Sequence, residues 1–126
     1  MKYKDLPKYE ILNKLQSVSF SKPTTNLRVY RWCDAVGKQL DFAEHERAKL
    51  VKKYGSEDEK GNWNVDKDNL EQFFKKWEEV LDMEIQDDIP SLNISFEDFD
   101  EENCCYPKEK DQWLSPKEIG YICKYM

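Results

Sequence analysis

The sequence predicts a mainly α protein: an antiparallel helical hairpin with a short β-hairpin or turn at its tip, an extended acidic arm and a short C-terminal helix. Three observations point there. Val29, Cys33, Val36, Leu40, Ala43, Arg47, Leu50 and Tyr54 recur at alternating spacings of four and three, which places all but Arg47 on one apolar helical stripe. Leu70, Phe73, Phe74, Trp77, Val80 and Leu81 form a second apolar, aromatic-rich helical face. Between them, "KKYGSEDEKGNWNV" (residues 52–65) passes from basic to acidic to a Gly-Asn turn and then to apolar-polar alternation, a pattern that reverses a chain. Two amphipathic rods joined by such a turn bury their stripes most simply against each other.

The elements follow in order. Pro7 suits a first helical turn, and Ile11, Leu12, Leu15 and Val18 continue at helical spacing, so a helix is expected from about Pro7 to Val18. "SFSKPTTN" interrupts it, and Thr24, Thr25 or Asn26 can each cap the next helix, expected from about Thr25 to Tyr54. Gly37 lies inside that helix, where it costs about 1 kcal/mol relative to Ala, and reads as a close-packing point or a weak spot. Lys52 and Lys53 suit the negative end of the helix dipole, with Gly55 as the expected C-terminal cap. Asp66 or Asp68 is positioned to open the third helix. Leu92, Ile94 and Phe96 alternate with polar residues, predicting a short strand or extended arm, and "DEENCCYPKEKDQ" reads as loop. Ser115, Pro116 and Glu118 then form a capping box ahead of Ile119, Ile122 and Cys123, which predicts a terminal helix. The expected organisation is one domain over residues 1–126: a helical core (1–81) with its hairpin turn at 55–65, an acidic extended arm and loop (82–113), and a terminal helix (114–126).

Composition narrows the function classes. A hydrophobic content of 39% and a mean hydropathy of -0.93 describe a lean core, so part of the aromatic surface is expected to await a partner. No apolar run is long enough for a membrane span, and "MKYKDLPKYE" lacks a signal-peptide core, so a soluble, intracellular protein is expected. Cys33, Cys104, Cys105 and Cys123 form no CxxC pair and are expected as reduced thiols. The net charge of -6 is unevenly placed: residues 1–56 hold 12 Lys/Arg and 6 Asp/Glu (+6), and residues 57–126 hold 8 and 20 (-12). From Trp77 to Pro107 there are eleven acids and no Lys, Arg or His. That field attracts basic surfaces and disfavours nucleic acid.

Sites for chemistry are scarce. "HERAK" (45–49) begins like a zinc-protease helix but ends in Lys49, and with a single His the chain cannot present two imidazoles to one metal. The cysteine spacings match no metal-ligand pattern, nothing places His45 beside a thiol, and four dispersed glycines build no phosphate-binding loop. No catalytic residue, cofactor or metal is therefore expected. The basic face of the second helix (Arg28, Arg31, Lys38, Lys49, Lys52, Lys53) is interrupted by Asp34, Asp41, Glu44 and Glu46, which argues against direct nucleic-acid binding. "SFEDFDEE" (95–102) lacks the Gly of a calcium loop, but it interleaves apolar anchors with charge as interfaces do. Phe96, Glu97, Asp98, Phe99, Asp100, Glu101 and Glu102 are thus the expected partner-binding residues, facing a protein with a basic surface. Self-association into a homo-oligomer is compatible with the same aromatic surface.

The order of features resembles small proteins of unknown function encoded by tailed phages of Gram-positive bacteria. It runs through "ILNKLQSVSF", "LRVYRWCDAVGKQLDFAEHERAKLVKKYG", "DEKGNW", "NLEQFFKKWEEVLDMEI" and "LSPKEIGYI", covering roughly residues 11–122. The "E..R..L..KYG..DE.GN" run from Glu44 to Asn62 is its most specific part, whereas the aromatic-acidic arm and the Cys104-Cys105 pair depart from it. The resemblance implies a product of the structural or late gene region, present in the host cytoplasm or incorporated in the virion, with no catalytic residues to carry over. It leads to a non-enzymatic accessory or virion-assembly protein acting through protein contacts. The alternative is an anti-CRISPR-like inhibitor of a host nucleic-acid-binding defence protein, its acidic segment mimicking nucleic acid.

Overall fold

The computed structural model describes residues 1–123, and over them the protein is mainly helical. Tyr9–Ser17 form helix α1, Ser19–Phe20 strand β1, Pro23–Tyr54 helix α2, Gly55–Glu57 strand β2, Trp63–Val65 strand β3, Leu70–Leu81 helix α3, Cys104–Cys105 strand β4 and Pro116–Ile122 helix α4. Single 3-10 turns occupy Tyr3–Asp5, Lys67–Asn69, Phe96–Phe99 and Lys110–Gln112. The last residues of the expected terminal helix, 124–126, lie outside the described residues. The chain divides into two compact units, one made of Met1–Leu6 and Gln39–Gln86, the other of Pro7–Lys38 and the chain from Asp87 onward.

The second unit holds the most deeply buried side chains: Pro7, Leu15, Trp32, Val36, Leu92 and Ile122. Helix α1 turns Ile11, Leu12 and Leu15 inward, as its spacing predicts. Asn26 does not cap α2. Instead its side-chain oxygen accepts the Phe20 N–H (2.9 Å) and its amide donates to the Phe20 carbonyl (2.8 Å), which pins β1 to the first turn of the helix. Antiparallel pairing of β1 with β4 sets Ser19 opposite Cys105 and Phe20 opposite Cys104, and the Ser21 N–H extends it by donating to Asn103 (2.8 Å). Near the C-terminal end, the Ser115 hydroxyl accepts the Glu118 N–H (3.2 Å) while a Glu118 carboxylate oxygen accepts the Ser115 N–H (3.0 Å), the expected capping box. That oxygen also receives Lys14 Nζ at 3.0 Å, a long-range pairing that no local pattern signals. Burial alone would raise the Glu118 pKa, but the Ser115 backbone, Lys14 and the Ser115 hydroxyl together hold it below the usual carboxylate value.

In the first unit, the N-terminal segment lies along the end of α3. The Met1 amino group meets Glu84 (3.0 Å), Tyr3 N–H donates to Met83 (3.2 Å), Ile85 N–H donates to Met1 (2.8 Å) and Lys4 pairs with Asp82 (3.1 Å). Tyr3 is buried, its hydroxyl donating to Gln39 Oε1 (2.8 Å) and its ring against Phe42. Strands β2 and β3 pair antiparallel, with Gly55 opposite Val65 and Glu57 opposite Trp63. Their turn is organised by Asp58, whose Oδ1 accepts the N–H groups of Lys60 and Asn62, both at 2.9 Å. Gly61 takes the left-handed conformation there, at φ 82°.

Four sequence expectations change. The buried side of α2 is broader than the predicted stripe: Thr25, Trp32 and Gln39 join Val29, Cys33, Val36 and Ala43, while Leu40, Leu50 and Tyr54 are half-buried. On α3, Phe73 is buried and Trp77, Val80 and Leu81 half-buried, but Leu70 and Phe74 face solvent. Leu92 and Ile94 do alternate inward, yet no strand forms, because Asn93 between them takes a positive φ of 54° and the segment finds no ladder partner. Gly55 is not a left-handed cap. It opens β2, and a Cβ there would stand 2.3 Å from the Asn64 carbonyl oxygen and 2.6 Å from that of Val51. Both obstacles are backbone, so they cannot step aside as a side chain could. Gly55→Ala is therefore expected to destabilise the protein by about 1–3 kcal/mol, the range for forced overpacking. Chemical denaturation checks this, and an unchanged midpoint would contradict the close approach.

Candidate protein-contact site

The seven expected contact residues fall on one ordered turn. Phe96–Phe99 form a 3-10 turn whose start is closed by Asp98, which accepts the Ser95 N–H (2.8 Å) on Oδ2. The Asn103 amide donates to the Glu97 carbonyl (2.8 Å), and the Asp100 carbonyl accepts N–H groups from Asn103 (2.7 Å) and Cys104 (3.1 Å). The Phe99 carbonyl accepts the Cys104 thiol (3.3 Å) and the Tyr106 hydroxyl. Tyr106 in turn lies against Trp113, whose indole N–H donates to Pro107 (2.7 Å). Backbone groups that a solvated loop would leave to water are thus satisfied within the segment.

This frame sorts the seven residues. Phe96 is 60% exposed, and Glu97, Asp100, Glu101 and Glu102 are exposed beside it in sequence. Two of the predicted contacts are corrected. Phe99 is buried, its ring edge-on to Phe20 with centroids 5.5 Å apart, so it anchors the turn from beneath. Asp98 is half-buried and engaged with Ser95, so its carboxylate shapes the turn. The outward surface of the turn is one aromatic ring and four carboxylates, carried on a backbone tied by these hydrogen bonds.

Ser95, Asn103 and Tyr106 shape this turn and were not singled out by sequence reasoning. Ser95 and Asp98 stand at capping-box spacing, a signal that was legible in "SFED". The Asn103 and Tyr106 contacts depend on β4 returning to β1, which local pattern does not encode.

The two buried thiols, Cys33 and Cys104, are poor nucleophiles. Burial pushes Cys33 up to about 12, and burial likewise raises Cys104. Cys105 is exposed on the outer side of β4, Cys123 is half-buried, and all four cysteines are free. His45 is exposed on α2. Among the described residues, no group of three or more His, Cys, Asp or Glu side chains is arranged to hold a metal ion, and no helix is long and apolar enough to cross a membrane. A polar cleft of about 520 Å³ lies in the second unit among Glu10, Asn13, Lys14, Asp111 and Gln112. Its one cation, Lys14, is already shared by Glu118 (3.0 Å) and Glu10 (3.6 Å), so it offers no free charge to an anion. No protein-family model matches the chain, and neither a curated protein nor a solved structure matches it.

Tyr106 gives the turn a pH dependence. Burial and the hydrogen bond with Cys104 push its pKa from 10.0 up to about 12, so the folded state favours the protonated phenol. Its contribution is complete below pH 10 and is lost as pH rises from 10 to about 12. Tyr106→Phe is expected to cost about 1 kcal/mol at neutral pH by removing the donor to Phe99. It should also flatten the alkaline fall in stability over that window. Denaturation midpoints measured from pH 8 to pH 12 check both, and an identical alkaline slope in the variant would contradict the assignment.

Proposed function

We propose that this is a non-enzymatic phage-encoded accessory or virion-assembly protein that acts through protein-protein contacts. In this reading α2 and α3 form an antiparallel helical hairpin that serves as scaffold, and the acidic turn presents Phe96, Glu97, Asp100, Glu101 and Glu102 to a partner with a basic surface. The observation that carries it is the exposed Phe96 ring on a turn tied down by Asp98 at its start and by Asn103 across it. An apolar anchor surrounded by charge, presented without an ordering cost on binding, is how small interfaces concentrate affinity. The phage origin rests on the sequence resemblance.

A second reading draws on the eleven acids from Trp77 to Pro107 with no intervening base. It makes the protein an inhibitor of a host nucleic-acid-binding defence protein, its carboxylates occupying a basic groove.

Affinity capture from phage-infected bacteria with the full chain, repeated with Phe96→Ala and with Glu97, Glu101 and Glu102 changed to Lys, tests the contact. The expected result is a virion structural protein with a basic surface, lost by more than about tenfold with either variant, the scale of a hot-spot deletion. Raising salt should weaken that complex only modestly, whereas a charge-mimic complex with a nucleic-acid-binding protein should weaken steeply. Capture undiminished by both variants would remove the turn from the interface.

A further inference from the structure

Helix α3 carries more apolar surface than its own unit covers. Phe73 is buried and Val80 half-buried on one side of it, which supplies the contact with the core. Beside them Leu70, Phe74, Trp77 and Leu81 follow one another at spacings of four, three and four, a single line along all three turns. Leu70 is 38% exposed and Phe74 54%, with Trp77 and Leu81 half-buried. The Phe74 ring is steadied from below by the edge of Phe73, centroids 5.4 Å apart, so the line is presented by a supported side chain.

The charges beside the line decide what fits it. At about 100° per residue, Glu78 and Glu71 come next around the helix on the side away from Phe73, and both are exposed. Their acidic neighbours Glu79 and Asp82 are engaged by Lys76 (3.5 Å) and Lys4 (3.1 Å), whereas Glu71 and Glu78 enter no ion pair among the described residues. Lys75, the nearest base on that side, stands farther from the line than either. Large apolar residues at this spacing suit the ridge of another helix, and carboxylates beside them favour Lys or Arg at its flanking positions. A second copy of α3 fits poorly: laid antiparallel with Phe74 against Trp77, it would set Glu71 of one chain beside Glu78 of the other.

We propose that the outer face of α3 docks an amphipathic helix of a partner protein, one whose apolar seam is bordered by Lys or Arg. Phe74 and Trp77 are its anchors, and Glu71 and Glu78 select the charge of the incoming helix. Three turns make a small interface, which suits a transient contact. The acidic turn belongs to the other unit, so this contact does not rest on it.

Two synthetic helical peptides, alike in a Leu and Ile seam and differing only in flanks of all Lys or all Glu, test it when titrated into the full chain and followed by amide chemical shifts. The Lys-flanked peptide is expected to bind about tenfold tighter and to shift the amides of Leu70, Phe74 and Trp77. Phe74→Ala should weaken it by about tenfold, and changing Glu71 and Glu78 to Lys should reverse the preference between the peptides. Circular dichroism checks that both variants keep their helix, and Phe96→Ala should leave the titration unchanged, which separates this face from the acidic turn. Binding of neither peptide, shifts that spare α3, binding untouched by Phe74→Ala, or a Lys preference that survives the double Glu→Lys change would each overturn the proposal. So would a wild-type dimer that Phe74→Ala makes monomeric, since the face would then belong to a second copy.

Discussion

The edge-on contact of Phe20 with Phe99 is the constraint on which the second unit rests. It joins the loop ahead of α2 to the middle of the acidic segment, far apart in sequence, and loop closure over that span must be repaid by what it brings together. The two-residue strands β1 and β4 could not hold each other unaided. They pair because Phe20, Phe99 and Cys104 are buried and because Asn26 fixes both polar groups of Phe20. Once that register is set, the Asn103 and Tyr106 side chains fall within reach of the turn that carries Phe96.

Charge and apolar burial therefore divide the acidic segment between them. Its net charge would favour an extended, solvated chain. Leu92, Ile94, Phe99 and Cys104 oppose that by burial, the first three each worth on the order of 1.5–3 kcal/mol. Glu97, Asp100, Glu101 and Glu102 occupy the intervening outward positions, where water screens them, and Asp98 turns back to the backbone. Phe96 is the exception to this division, an aromatic ring left outside. Buried apolar anchors and exposed acids thus alternate along one short stretch, so that folding the segment and displaying its charge are the same event.

Elements governed by local rules were legible in the sequence: the period of α2, the reversal at Gly61-Asn62, and the Ser115 and Glu118 cap. Each is decided within a few residues. What escaped was decided across the chain. Trp32 lies beside the predicted stripe, and only the burial of a wide face of α2 brings it in. Phe96 and Phe99 look alike in "SFEDF", and which one turns inward is set by Phe20. Gly55 read as a helix cap because a glycine after two lysines fits that pattern, while its actual constraint comes from the Asn64 carbonyl across the hairpin.

Amide hydrogen exchange on the wild type and on Phe99→Ala addresses the Phe20–Phe99 anchor most directly. The N–H groups of Ser21, Asp100, Asn103 and Cys104 should be protected together in the wild type, since each donates within this unit. Phe99→Ala should release all four while the α3 amides stay protected. Free-peptide exchange at those four positions in the wild type, or protection that persists without the Phe99 ring, would contradict the anchored turn.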